Sequence, residues 1–245
     1  MLSVPLAIGW RDVLFANWPV DPALVEPRIP ESLEVDTRDG RAYLSVIPFV
    51  NVDVRPGFVP EGLGFRLPEL NLRTYVRPDA SRFDDRTPGV YFFNLDAGGL
   101  PGVGPAAVLG GRLLHALPYY LADVDCTASG DAVRFRSRRR HPGARPARFA
   151  ATYGPTGEPF RSDPDSLAAF LTERYRLYTE DRSGALRYTA VDHPSWPLAE
   201  AKMDVAENTL FRADGFAHPE SDPVCYYSSG VDVTASPSRR LDAER

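Results

Sequence analysis

Apolar and polar residues alternate along much of this chain with a period of two, the signature of strands with one buried face. The pattern is clearest over 132–138, where Val133 and Phe135 alternate with Arg134, Arg136 and Arg138. This strand belongs to a predicted meander with strands over 121–127 and 147–153, the first pair joined by Ser129-Gly130-Asp131. Earlier, Asp39-Gly40 separates Glu34-Val35-Asp36 from an apolar run over 42–47. Asp-Gly between apolar runs predicts a hairpin, because glycine takes a positive φ without steric cost. Further strands are predicted over 69–76, 90–95, 186–191 and 224–233. One segment reads as a helix, with Asp163 as cap, Pro164 in the first turn and Leu167, Phe170, Leu171, Tyr175 and Tyr178 at helical spacing. Pro194-Ser195-Trp196-Pro197 reads as a rigid corner.

Composition narrows this to one mainly β domain. The 24 prolines and 19 glycines in 245 residues require many turns between short elements. No linker or repeat divides the chain, so a single domain is expected over 1–235, with a polar tail over 236–245 that frays. The net charge of -5 argues against a nucleic-acid binder, which needs a concentrated basic surface. The one basic run, Arg138-Arg139-Arg140, has no aromatic interleaving and reads as a solvated strand end. No apolar run is long enough to cross a bilayer. The opening Met1-Leu2-Ser3-Val4-Pro5 lacks the charged-then-apolar pattern of a signal peptide. A soluble, cytoplasmic protein with no membrane partner is therefore expected.

Several chemistries lose their residues at this stage. Cys126 and Cys225 stand far apart, and His115, His141, His193 and His218 are scattered, so no metal spacing and no cofactor is predicted. No Gly-x-Ser-x-Gly elbow supports a hydrolase triad. Asp84-Asp85 reads as a solvated charge pair in a loop. Lys202 is the only lysine, and its acidic neighbours Glu200 and Asp204 favour the charged ammonium.

The most informative segment is Glu69-Leu70-Asn71-Leu72-Arg73-Thr74-Tyr75-Val76. As a strand it places Leu70, Leu72 and Val76 on one face and Glu69, Asn71, Arg73 and Tyr75 on the other. The plain alternative is an edge strand with a wet outer face. The functional alternative is a barrel strand whose polar set points into a cavity, where a carboxylate, an amide and a guanidinium bind a small polar or anionic ligand. The second constellation runs from Gly110 to Ala122 and contains Arg112, His115, Tyr119 and Tyr120. Its glycine pair is not a dinucleotide fingerprint, and a single histidine in an apolar setting is more often structural than catalytic.

Gly111-Arg112 followed by Pro118-Tyr119-Tyr120-Leu121-Ala122 resembles the acetoacetate decarboxylase motif, in which Gly-Arg-Glu precedes Pro-Lys-Lys-Leu-Ala. A wider set of segments resembles the YqjF-like family of bacterial and archaeal proteins. These are Trp10-Arg11-Asp12-Val13-Leu14-Phe15-Ala16, Trp18-Pro19-Val20-Asp21-Pro22, Leu33-Glu34-Val35-Asp36, the stretch from Pro68 to Val76, Pro88-Gly89-Val90-Tyr91-Phe92-Phe93 and Thr172-Glu173-Arg174-Tyr175. The resemblance implies a curved, largely antiparallel sheet forming a cone-shaped barrel around a funnel-shaped pocket. It implies a pocket carboxylate at Glu69 and a pocket arginine at Arg112. In the decarboxylase a lysine of Pro-Lys-Lys forms a Schiff base with the ketone; here both positions are tyrosine, and a phenol forms no iminium.

Three readings are open. The first is a protein that binds a small polar or anionic molecule through Arg73, Arg112, His115, Tyr119 and Tyr120 without Schiff-base chemistry. The second is a lysine-independent acid–base enzyme (enolisation, hydration or isomerisation of a small carbonyl compound) with Glu69 as its base. The third is an assembly role, in which aromatic surfaces make a homo-oligomer around a vestigial pocket.

Overall fold

In the computed structural model, which describes residues 4–98 and 116–242, long strands forced to bury both faces organise the fold. The strands are β1 (Leu6–Val20), β2 (Leu33–Val35), β3 (Ala42–Pro56), β4 (Phe65–Pro78), β5 (Gly89–Ala97), β6 (Tyr119–Ser129) and β7 (Ala132–Arg139). They continue with β8 (Arg148–Pro155), β9 (Arg176–Glu180), β10 (Leu186–Asp192), β11 (Leu198–Asn208), β12 (Val224–Ala235) and β13 (Arg239–Arg240). The described helices are short: α1 (Pro22–Val25), α2 (Leu167–Thr172) and α3 (Leu210–Ala213).

Nine strands close into a ring in the order β1, β3, β4, β5, β6, β7, β8, β11, β12 and back to β1. A second, smaller ring shares part of that wall. The β5 strand pairs with β6 at Leu95–Ala97 but with β9 at Val90 and Tyr91. Likewise β12 pairs with β11 near Ser228 but with β10 at Thr234 and Ala235. Because β9 and β10 pair with each other, they bridge the two forks and complete the smaller ring.

The shared strands β1, β3 and β4 therefore face two interiors. Leu14, Ala16 and Trp18 from β1, Leu44 and Val46 from β3, and Leu70 and Leu72 from β4 meet Phe135, Phe149 and Tyr153 in a filled core inside the nine-strand ring. The opposite faces, with Val13, Phe15, Ile47 and Phe49, turn toward the smaller ring. A strand buried on both sides reads as a near-continuous apolar run, as β3 does from Ala42 to Val50 with Ser45 its one polar interruption.

Bulges complicate the pattern. Asp12 and Asp53 take positive φ of 54° and 50° at breaks in strand register. Each inserts one residue and swaps the faces of the strand beyond it. On β1 the small-ring face carries Leu6, Ile8 and Trp10 before Asp12, and Val13 and Phe15 after it.

Several sequence expectations need correction. The turn at Asp39-Gly40 forms, with Arg38 bridging Arg41, but β2 pairs with β4 rather than returning along β3. The helix is only six residues long, and Ser166, not Asp163, caps it by accepting from Ala169 N at 3.1 Å. Tyr175 lies beyond α2, and Tyr178 is in β9, its hydroxyl donating to Thr87 O at 2.7 Å. Pairing of Arg176–Glu180 with β10 outweighs the helical spacing there. Finally, the C-terminal segment does not fray throughout: Arg239 and Arg240 pair with β10, and Leu241 is buried against Tyr178 and Leu186.

Candidate functional site

The smaller ring encloses a cavity of about 410 Å³, within the size range of small-molecule sites. Strand β4 runs along it from mouth to floor, so Phe65, Leu67, Glu69, Asn71 and Arg73 line it in order. The mouth lies where the β3–β4 hairpin leaves the body and burial falls away, Phe65 being 38% exposed. Helix α2 supplies the floor. Its Leu171 carbonyl accepts from Tyr75 at 2.8 Å and from Arg73 Nη2 at 3.4 Å.

Glu69 is buried at mid-depth. Its Oε2 accepts from Tyr119 OH at 2.8 Å and from Asn51 Nδ2 at 3.3 Å, and Asn71 adds a further hydrogen bond. No cation pairs with it among the described residues. Burial therefore dominates and pushes its carboxyl up from 4.5 to about 7, although the three donors pull the other way. The Tyr119 phenol is held well above 10, first by burial and then by the neighbouring carboxylate.

Arg73 lies deeper. It stands four residue steps along the strand from Glu69, about 13 Å between α-carbons at 3.3 Å per residue. Its guanidinium lies 5.7 Å from the ring centres of both Phe15 and Tyr75 and meets no carboxylate among the described residues. Arg73 Nε and Asn71 Oδ1 are buried without hydrogen-bond partners among the described residues, a state native interiors avoid unless something else occupies the partner position. The other arginines on the wall are engaged. Arg174 pairs with Asp36 at 2.6 Å and Arg176 with Asp85 at 2.7 Å. Arg55, at the rim, pairs with Asp53 at 2.9 Å.

The structure thus brings Glu69, Arg73 and Tyr119 into one chamber. Tyr120 is not among them. Adjacent strand residues point to opposite faces, and Tyr120 packs behind the wall under Arg139, whose guanidinium carbon is 4.1 Å from the ring centre. There Arg139 holds Asp96 at 2.6 and 3.1 Å in a buried ion pair. Arg112 and His115 lie outside the described residues. Tyr75 shares Glu69's face but ends in a buried network with Asn17 and Ser45 beneath the floor.

Sequence reasoning missed Asn51, Trp10, Trp196 and His193, all of which line the chamber. Asn51 was findable as the lone amide ending the apolar run of β3. Trp10 and Trp196 stack with centroids 5.7 Å apart, and His193 packs against both. Lys202, the only lysine, is exposed on β11, so no lysine lines the cavity. Among the described residues no group of histidine, cysteine and carboxylate side chains is arranged to hold a metal, and no helix is long and apolar enough to cross a membrane.

Comparison with solved structures finds the same architecture. Acetoacetate decarboxylase from Legionella pneumophila superposes with a TM-score of 0.60 at 14% identity, over 98% of this chain and 88% of that one. An acetoacetate decarboxylase-like enzyme from Sphingomonas wittichii RW1 gives 0.63 at 12% identity, over 100% and 95%. The enduracididine biosynthesis enzyme MppR, in complex with pyruvate, gives 0.62 at 12%, over 99% and 92%. At such identities the likeness is one of fold. In sequence, the chain is 41% identical over 245 residues to the uncharacterized protein YqjF of Bacillus subtilis (strain 168), covering 98% of this chain and 96% of that protein. The model of the DUF2071 family, described as an uncharacterized conserved protein, matches residues 7–232, and the chain belongs to that family on an acetoacetate decarboxylase-like fold.

Proposed function

We propose that the chamber binds a small molecule carrying a carboxylate or carbonyl group, without Schiff-base chemistry. The observation that carries this reading is the pairing of an apolar cavity with two unsatisfied buried polar atoms, Arg73 Nε and Asn71 Oδ1, on its wall. A ligand anion satisfies the guanidinium with a charge-assisted hydrogen bond. MppR, of the same fold, holds pyruvate, a small 2-oxo acid. Tyr119 beside Glu69, with the sole lysine outside the chamber, argues against an iminium route.

Trp10 and Trp196 line the cavity and report occupancy through their fluorescence. Titration with acetoacetate and pyruvate is expected to saturate, and Arg73→Met to weaken binding about tenfold to a hundredfold, as for a hydrogen bond to a charged group. Tyr120→Phe, behind the wall, leaves it unchanged. A wild-type signal that never saturates, or an Arg73→Met titration that overlays it, refutes the reading.

A second reading, acid–base turnover, is favoured by the Glu69 carboxyl near 7, the range in which a group both takes and returns protons efficiently. In it, ionised Glu69 takes a proton from the carbon next to a ligand carbonyl. The C–H electron pair becomes the enolate π bond, the carbonyl π pair moves onto oxygen, and the proton returns from Glu69. The test is deuterium incorporation at that carbon in D₂O, read by NMR. Exchange that persists at the wild-type rate in Glu69→Gln removes the base from the mechanism.

A further inference from the structure

The distribution of polarity along the chamber narrows the ligand class, an inference that rests on the binding reading above. The polar groups sit at mid-depth and at the floor: Glu69, Asn51, Asn71 and Tyr119, then Arg73. The outer third is apolar, walled by Leu6, Ile8, Val54, Pro56, Phe65 and Leu67. Among the described residues the one cation there, Arg55, is occupied by Asp53, whose carboxylate also accepts from Gly62 N and Gly64 N and so ties down the β3–β4 loop. Beyond the rim that loop carries Phe58, 76% exposed, and Leu63, 71% exposed. Together with Phe65 they make three of the seven exposed large apolar residues described, all within one hairpin at one opening. Single exposed apolar residues are ordinary, but a cluster continuous with an apolar mouth marks a contact surface.

We infer that the ligand is an amphiphilic acid, its head group inward toward Arg73 and Glu69 and its hydrocarbon chain lying outward through the mouth onto the Phe58–Leu63 loop. The orientation is set by charge. An acid entering tail first leaves Arg73 unmet and its carboxylate at a rim whose arginine is already neutralised. Head first, the carboxylate meets a guanidinium that has no carboxylate partner among the described residues, and the chain meets hydrocarbon. Length sets the class. Eight residue steps of β4 carry the wall from Arg73 to Phe65, about 26 Å at 3.3 Å per residue, so an acid held at Arg73 reaches the loop only with a chain on the order of twenty carbons.

The test titrates the full chain with butanoate, octanoate, hexadecanoate and icosanoate, each below its micelle-forming concentration, with acetoacetate in parallel. Affinity is expected to rise about fourfold per methylene, the value for burying a CH₂ group. Phe58→Ser/Leu63→Ser is expected to abolish the gain from hexadecanoate to icosanoate and leave butanoate and octanoate unchanged. Both residues are exposed, and an unaltered unfolding midpoint confirms the variant is folded. Arg73→Met should weaken all four acids by one common factor. If acetoacetate binds but alkanoate affinity is flat with chain length, the amphiphile is refuted and the binding chamber stands. A gain from hexadecanoate to icosanoate undiminished in the hairpin variant likewise overturns the inference. Silence from acetoacetate and every alkanoate defeats both readings together.

Discussion

Replacing Glu69 with glutamine should stabilise this protein at alkaline pH, an unusual outcome for removing a hydrogen-bonded side chain from an interior. The carboxyl rises from 4.5 to about 7 on folding because burial penalises its charge. A group whose folded pKa lies above its unfolded value binds more protons in the native state. Its contribution is therefore fully present below pH 4.5 and is lost as pH rises through about 7. The shift corresponds to about 3 kcal/mol at 1.36 kcal/mol per unit. Glutamine keeps the shape and cannot ionise. Urea unfolding of wild type and Glu69→Gln at pH 5 and pH 8 isolates the effect. The stability difference between the two proteins should shift toward glutamine by about 2–3 kcal/mol across that interval. Asp214, also pushed up by burial, to about 6, contributes a slope of the same sign, but it is common to both proteins and cancels. Parallel pH profiles would show that Glu69 ionises as easily in the fold as in the unfolded chain, and the account of the chamber as a desolvated site would fail.

The same geometry makes three further outcomes testable. Tyr119→Phe removes the 2.8 Å donor that helps hold Glu69 down, so the Glu69-dependent loss of stability should extend to higher pH in the same urea titrations, whereas Tyr120→Phe should leave it in place. Asp96→Asn strips the partner from Arg139, whose side chain is only 3% exposed. Chemical denaturation should register a loss of about 3–5 kcal/mol, as for a buried charge left uncompensated. Leu72→Ala should cost about 2–5 kcal/mol by leaving a cavity in the nine-strand core, yet leave ligand affinity in the chamber unchanged, the reverse of Arg73→Met at the next residue.

The sequence made the outer strands of the large ring easy to read. In β7 the alternation of Val133 and Phe135 with exposed arginines is uninterrupted, because one face meets solvent and the other the core. The strands that build the site were harder. All of β1 escaped as an element, since the bulge at Asp12 moves the chamber-facing set from Ile8 and Trp10 to Val13 and Phe15 and no single period fits both halves. The turn at Asp39-Gly40 was legible from two residues, but not the choice of β4 over β3 as the partner of β2, which long-range packing makes. The aromatic spacing at Tyr175 and Tyr178 imitated a helix continuation, but Tyr178 serves a buried strand against β10 and β5 while Tyr175, 39% exposed, precedes that strand.

Within the site, the face bearing Glu69, Asn71 and Arg73 was legible because β4 keeps strict alternation over those residues. Their electrostatics were not. On an extended strand carboxylate and guanidinium stand a full two face positions apart, and the donors that reach Glu69 come from Asn51 on β3 and Tyr119 on β6. Three neutral donors stabilise the carboxylate less than one arginine would, so burial prevails and the group titrates near neutrality. The same separation leaves Arg73 without a carboxylate at the floor among the described residues. Had the two paired, the chamber would contain a satisfied ion pair with nothing to offer a ligand. Held apart, they present a proton-exchanging group and a fixed positive charge along one wall, and that separation is a consequence of the pleat of a single strand.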